Sequence, residues 1–217
     1  MISKATLHQV LRLGPRFEQA FSYAAMKHAG QPRKQTSVPY LAHLMAVASL
    51  VLEAGGDEDL AIAALLHDVV EDQGGQPTLQ EVRAMFGDRV ANIVEGCSDS
   101  DTEPKPPWQK RKEDYLCELS GADSDTRLVS AADKLHNLRS ILTDLRDEGD
   151  LVWSRFKGKK DGTLWYYRAL NEEFKRFPNR LTREFAIAIA ELEQLVGATS
   201  LMKSGAFTTA KIGAIDS

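Results

Sequence analysis

Ala61-Ile-Ala-Ala-Leu-Leu-His67-Asp68-Val-Val-Glu71-Asp72 is the stretch on which the reading of this 217-residue chain turns. Ala61 to Leu66, with Val69 and Val70, form an apolar run that reads as a buried helix. His67, Asp68, Glu71 and Asp72 close that run, and all four are side chains that bind metals or move protons. Burying charge costs free energy unless the charge is paired or coordinated, so this end of the helix is expected to open onto a polar site. On one continuous helix His67 and Glu71 share a face, as do Asp68 and Asp72. His67 and Asp68 diverge by ~100°, which still lets both reach one ion at a helix end. The bland alternative is a solvated last turn stopped by Gly74-Gly75. Acidic residues at a helix C-terminus oppose the macrodipole, however, and a nearby cation removes that conflict.

Upstream, residues 6 to 29 carry apolar residues at helical spacing, with Gly14-Pro15 as a point of division. A loop, Gly30-Gln-Pro-Arg33-Lys34-Gln-Thr-Ser, presents two cations; it is either a solvated surface loop or a clamp for an anion, with Arg33 suited to bidentate phosphate binding. Pro39 suits the first turn of a helix running to Ala54, and His43 sits in its apolar stripe. Asp57 or Asp59 is placed to cap the central helix. Downstream, Thr78-Leu-Gln-Glu81 has the form of a capping box opening a helix over 78–86, and a short helix follows at 90–94. Residues 98–107 are polar and proline-rich and read as a rim loop. Trp108 opens a helix whose Lys110-Arg111-Lys112 cluster is either a solvated face or a phosphate contact. Asp125 to Asp144 is a second long buried helix with Asp133 among alanines and leucines, a carboxylate that needs either a salt-bridge partner or a metal. Residues 149–163 read as a basic, aromatic loop. Helices follow at 163–177 and 181–195, and residues 197–217 show no clear period.

Composition narrows the class. The net charge of −4 argues against a dedicated nucleic-acid binder. Cys97 and Cys117 make no disulfide framework and no zinc-finger spacing, and fit two reduced thiols in a cytoplasmic protein. There is no apolar leader at the N-terminus and no run long enough to span a membrane. No repeat, no strand alternation of useful length, no P-loop and no G-x-G-x-x-G occurs. Three separate helices thus supply His43, then His67-Asp68, then Asp133. Two imidazoles and two carboxylates without a thiolate suit manganese, iron or zinc at a catalytic rather than a structural centre. Open positions on such an ion would acidify water into a hydroxide nucleophile.

The ordered motifs Gly30-Gln-x-Arg33-Lys34, Pro39-Tyr-x-x-His43, Ala63-Ala-Leu-Leu-His67-Asp68-Val-Val-Glu71-Asp72, Phe86-Gly87 and Asp133-Lys-Leu-His-Asn137-Leu-Arg resemble those of the HD-domain metal-dependent phosphohydrolases. Among these, the match is to the hydrolase domain of the stringent-response synthetase-hydrolases and to its stand-alone form, the small alarmone hydrolases. The resemblance covers roughly residues 5 to 175. It implies an all-α, HD-type helical bundle with a central metal site; the chain is read as a single domain over residues 1–196, with the small, polar, aperiodic residues 197–217 as a C-terminal tail. It implies His43, His67, Asp68 and Asp133 as ligands of Mn²⁺, with Fe²⁺ or Zn²⁺ as alternatives, and Glu71 and Asp72 as the catalytic pair. The implied reaction is hydrolysis of the 3′-pyrophosphate of guanosine tetra- or pentaphosphate, releasing pyrophosphate and GDP or GTP. Arg33 and Lys34 would neutralise the diphosphates, with Asn137, Lys134, Arg111 and Tyr166 as further substrate contacts. The expected partner is a small nucleotide, with neither nucleic acid nor membrane; the sequence allows a homo-oligomer.

Other readings use the same residues. Adenine counterparts of the alarmones, the 2′-phosphate of NADPH or a nucleotide monophosphate would fit the same centre. An inactive HD module that senses nucleotides is a different class, and the intact ligands and Glu71-Asp72 pair speak against it. A purely structural bundle leaves the buried acids unexplained.

Overall fold

The computed structural model describes residues 11–98 and 104–205, with side chains to residue 198. The apolar run becomes α3 (Glu58–Leu66), and its hydrophobic residues on every side are the reason it lies at the centre: Leu60 through Leu66 are all buried. Fully burying an aliphatic side chain stabilises by roughly 1.5–3 kcal/mol, so this one segment anchors the core. Asp57 caps it, accepting a hydrogen bond from the Leu60 amide at 3.0 Å. Around it pack α1 (Pro15–Lys27), α2 (Leu41–Glu53), α6 (Asp88–Cys97) and α8 (Ser124–Glu148). The 25-residue α8 is the second axis, contacting α2, α3, α6 and α10 (Arg180–Gly205). The short α4 (Val69–Asp72), α5 (Gly75–Phe86), α7 (Trp108–Gly121) and α9 (Lys159–Lys175) complete the helices. The described residues contain no β-strand, only an isolated bridge between Pro32 and Pro39. The fold is all-α, as expected.

The turn between α2 and α3 is sterically fixed. Gly55 has φ +89°, and a Cβ on Gly56 would stand 2.5 Å from Val51 Cγ1 and 2.9 Å from the Val51 carbonyl oxygen. Gly56→Ala is therefore expected to lower stability by about 1–3 kcal/mol, the usual penalty of overpacking. A drop of several degrees in melting temperature, with divalent-ion affinity little changed, is the outcome to look for.

Four sequence expectations are corrected. The central helix is not continuous: residues 67–68 form a turn between α3 and α4. His67 Nδ1 donates to the Ala64 carbonyl at 2.8 Å, the acceptor that a continuing α-helix would reserve for the Asp68 amide. Thr78 and Glu81 form no capping box, because α5 already begins at Gly75; the Thr78 hydroxyl donates to the Gln73 carbonyl at 2.8 Å, and Glu81 accepts from the Tyr23 hydroxyl at 2.6 Å. The 149–163 segment is not a plain loop. It holds a 3₁₀ helix, Gly149–Arg155, with Val152 and Trp153 buried, and then the start of α9. Finally, α10 runs past residue 196 to Gly205. Residues 6–10 of the first expected helix, much of the rim loop and the end of the tail lie outside the described residues.

Candidate functional site

Three elements converge on one buried point. α2 supplies His43, the α3–α4 turn supplies His67 and Asp68, and α8 supplies Asp133. Ligand atoms of His43, His67 and Asp133 all lie within 4.8 Å of one another. Asp133 Oδ1 is 3.2 Å from His43 Nε2 and 3.6 Å from His67 Nε2. Asp68 Oδ2 lies beside the same two nitrogens, at 3.7 and 3.0 Å. Both Nε2 atoms are buried and make no hydrogen bond of proper geometry. Two orphaned imidazole nitrogens facing two carboxylates are the donor set of a divalent-ion site, so these residues fit a metal.

The electrostatics agree. Burial works against charge on Asp68, but His67 and His43 outweigh it and hold its carboxyl well below the usual range. Burial likewise opposes charge on Asp133, and Lys134, His43 and His67 hold it far down. His67 is pulled down by burial but raised well above its ordinary value by Asp68 and Asp133. The buried Asp133 and the half-buried Asp68 thus favour positive charge between the imidazoles. Both carboxylates are also tied in place: the Tyr40 hydroxyl donates to Asp68 Oδ2 at 2.5 Å, Asn137 Nδ2 donates to Asp133 Oδ1 at 2.5 Å, and Lys134 Nζ donates to Asp133 Oδ2 at 2.6 Å. His43 Nδ1 lies 2.8 Å from His136 Nδ1.

A cavity of about 750 Å³ opens over this cluster, room for one nucleotide-sized ligand. Glu71 and Asp72 line it, together with Arg33, Lys34, Arg111, Lys134, Asn137 and Tyr166. Glu71 Oε1 accepts from Lys105 Nζ at 2.9 Å. Asp72 accepts from Gln31 Nε2 at 2.9 Å; its pKa is nevertheless raised, by burial first and then by Asp68. Arg33 Nη2 donates to Asn137 Oδ1 at 3.0 Å, which ties the α1–α2 loop to α8. Lys34 lies 5.6 Å from the Phe156 ring centre, and its pKa is lowered by burial and by Lys157, Lys112 and Lys159. That crowd of ammonium groups is relieved by a polyanion. The Lys112 ammonium lies 5.0 Å from the Tyr166 ring centre. The wall here depends on small residues: a Cβ on Gly158 would stand 2.6 Å from Cη2 of Trp108.

The side chains expected as ligands, catalytic pair and substrate contacts therefore lie at the cluster or on the cavity wall, whereas Lys110 of the basic cluster is exposed and pairs with Asp114. Lys134 differs in use, since its ammonium is engaged with Asp133. Sequence reasoning missed Lys105, the Tyr40 hydroxyl and His136. Lys105 sits in a proline-rich stretch with no period to aim it. Tyr40 and His136 fall inside quoted motifs, and their proximity to ligating residues was the signal available.

The family model of the HD domain matches residues 20–164. The chain belongs to the HD-domain family. This HD domain is 40% identical over 126 residues to the guanosine-3′,5′-bis(diphosphate) 3′-pyrophosphohydrolase MESH1 of Xenopus tropicalis, an alignment covering 57% of the chain and 68% of that protein. It is 35% identical over 129 residues to the bifunctional (p)ppGpp synthase/hydrolase SpoT of Escherichia coli K12, where the match covers 58% of the chain but only 18% of that much longer protein. Among solved structures it is similar to a metazoan orthologue of SpoT that hydrolyses ppGpp and plays a role in starvation responses. That likeness has a TM-score of 0.67 at 27% identity and covers 88% of this chain and 99% of the other. No helix of the described HD domain is long and apolar enough to cross a membrane.

Proposed function

We propose that this HD domain is a metal-dependent 3′-pyrophosphohydrolase of guanosine tetra- and pentaphosphate, releasing pyrophosphate and GDP or GTP. The observation that carries the reading is that Glu71 and Asp72 line a cation-lined cavity that meets the His43, His67, Asp68 and Asp133 cluster at His43. Kinship with MESH1 and SpoT supports the substrate class. The proposed ligands are His43, His67, Asp68 and Asp133, and the proposed ion is Mn²⁺. A divalent ion held there supplies Lewis acidity, acidifying water and polarising phosphoryl oxygens.

The chain's own residues do the rest. Glu71, ion-paired with Lys105, is the carboxylate suited to accept the proton of the water that attacks the phosphorus joined to the 3′ oxygen. Asp72, beside Glu71 on the same cavity wall and hydrogen-bonded to Gln31, is suited to protonate the departing 3′ oxygen. The bond that breaks is the one between that oxygen and phosphorus, and the products are pyrophosphate and a free 3′ hydroxyl. Arg33 and Lys34 bind the diphosphates, Arg111 and Tyr166 line the cavity for the remainder of the nucleotide, and Asn137 aligns both Arg33 and Asp133. A cytoplasmic setting suits two free cysteines and a nucleotide substrate.

Arg33→Ala removes a charge-assisted contact of about 1.5–3 kcal/mol, so KM is expected to rise roughly 10- to 100-fold while Mn²⁺ affinity holds. Steady-state kinetics with a parallel metal titration check it. The reading as a whole is tested by offering guanosine tetraphosphate, its adenine analogue and NADPH side by side with Mn²⁺. Pyrophosphate from the guanine alarmone is the expected result. Orthophosphate from NADPH alone would replace this reading.

A further inference from the structure

We infer that His136 is the positioning residue that sets the proton of His43, and with it the ability of His43 to ligate a metal. The inference rests on the ligand set proposed above. A ligating histidine keeps its coordinating nitrogen bare by donating its other ring N–H to a fixed acceptor. His67 does so into the Ala64 carbonyl at 2.8 Å. Among the described residues, no carbonyl or carboxylate faces Nδ1 of His43. The atom there is Nδ1 of another imidazole, His136, at 2.8 Å, with ring centres 4.8 Å apart.

Two imidazole nitrogens at that separation share a single proton. Two would collide, and none would set lone pair against lone pair. If the proton belongs to His136, His43 must carry its own on Nε2, the buried atom that faces Asp133 at 3.2 Å, and it cannot ligate. If it belongs to His43, Nε2 is free for the ion, and His136 is an acceptor at Nδ1 that keeps its own proton on Nε2. Only the second arrangement agrees with the donor set.

His136 lies on α8 between Asp133 and Asn137. One helix therefore delivers a carboxylate ligand, the amide that holds that carboxylate, and the acceptor that sets the imidazole arriving from α2. The ring also lines the cavity, so the metal's outer support borders the space the nucleotide occupies.

The test uses the full chain, stripped of metal, with Mn²⁺ titrated calorimetrically and the metal-free melting temperature recorded for each protein. His136→Phe keeps a ring against His43 but has no acceptor. His136→Asn loses the ring but places an amide oxygen close to the position of Nδ1. Positioning predicts that Phe weakens Mn²⁺ binding by about 10- to 100-fold and that Asn lies nearer the wild type. A packing role predicts the opposite order. Mn²⁺ binding by His136→Phe as tight as wild type, or weaker binding by Asn than by Phe, overturns the inference. A wild-type protein that binds no Mn²⁺ overturns the ligand set itself, and this inference with it. Should neither variant fold, ¹⁵N spectra of the histidines in zinc-loaded wild-type protein decide the matter: a proton on Nδ1 of His43 is expected, and one on Nδ1 of His136 contradicts it.

Discussion

Asp133→Ala is expected to lose its divalent ion and to lower turnover by about 10³-fold or more, since Lewis-acid stabilisation is worth several kcal/mol and each ~1.4 kcal/mol is tenfold in rate. Asp133 faces both imidazoles, and its removal leaves Asp68 as the one carboxylate proposed to balance an ion there. The substitution also acts on the fold. Lys134 Nζ, 2.6 Å from Asp133 Oδ2 and with its side chain 13% exposed, loses its counter-charge. Unpairing a buried charge costs about 3–5 kcal/mol, so the metal-free protein should melt at a clearly lower temperature. Combining Asp133→Ala with Lys134→Met should recover part of that stability and none of the turnover. Calorimetric Mn²⁺ titration and thermal melts of the single and double variants separate the two effects. Full Mn²⁺ affinity in Asp133→Ala would remove that carboxylate from the ligand set.

Glu71→Gln is expected to do the reverse: it should spare Mn²⁺ affinity and cut kcat by roughly 10²- to 10⁴-fold, the span of general acid–base contributions. The amide retains an oxygen for the 2.9 Å contact with Lys105 Nζ, so the neighbouring loop keeps its anchor while the group that accepts a proton is gone. Lys105→Ala provides the comparison. It removes this ion pair and keeps the carboxylate, and should reduce kcat less than Glu71→Gln. Unchanged kcat in Glu71→Gln would take this side chain out of the proton transfer.

The features legible in the sequence were those fixed by burial and by ordered motifs. The unbroken apolar faces of Ala61 to Leu66 marked the centre of the core, and the acids at its end marked a site, because neither is stable without the other's context. What sequence hid was set by local competition. The turn at 67–68 follows from His67 taking the Ala64 carbonyl, a choice no periodicity records. The false capping box at Thr78 arose because Gly74 and Gly75, at φ +126° and +61°, let the chain enter α5 early. The 3₁₀ turn at 149–155 is pinned by burial of Trp153, whose Nε1 donates to Asp150 Oδ1 at 3.0 Å; glycines and lysines around it disguised that anchor as loop. The pairing of Lys105 with Glu71 joins residues 34 positions apart, beyond the reach of any local pattern.

The most direct test of the central claim is mass analysis of the products of guanosine tetraphosphate turned over with Mn²⁺ in ¹⁸O-labelled water. The account predicts one ¹⁸O atom in released pyrophosphate and none in GDP, because water attacks phosphorus and the 3′ oxygen stays with the nucleoside. Release of orthophosphate in place of pyrophosphate, label in the nucleotide, or no turnover by metal-loaded protein would contradict it.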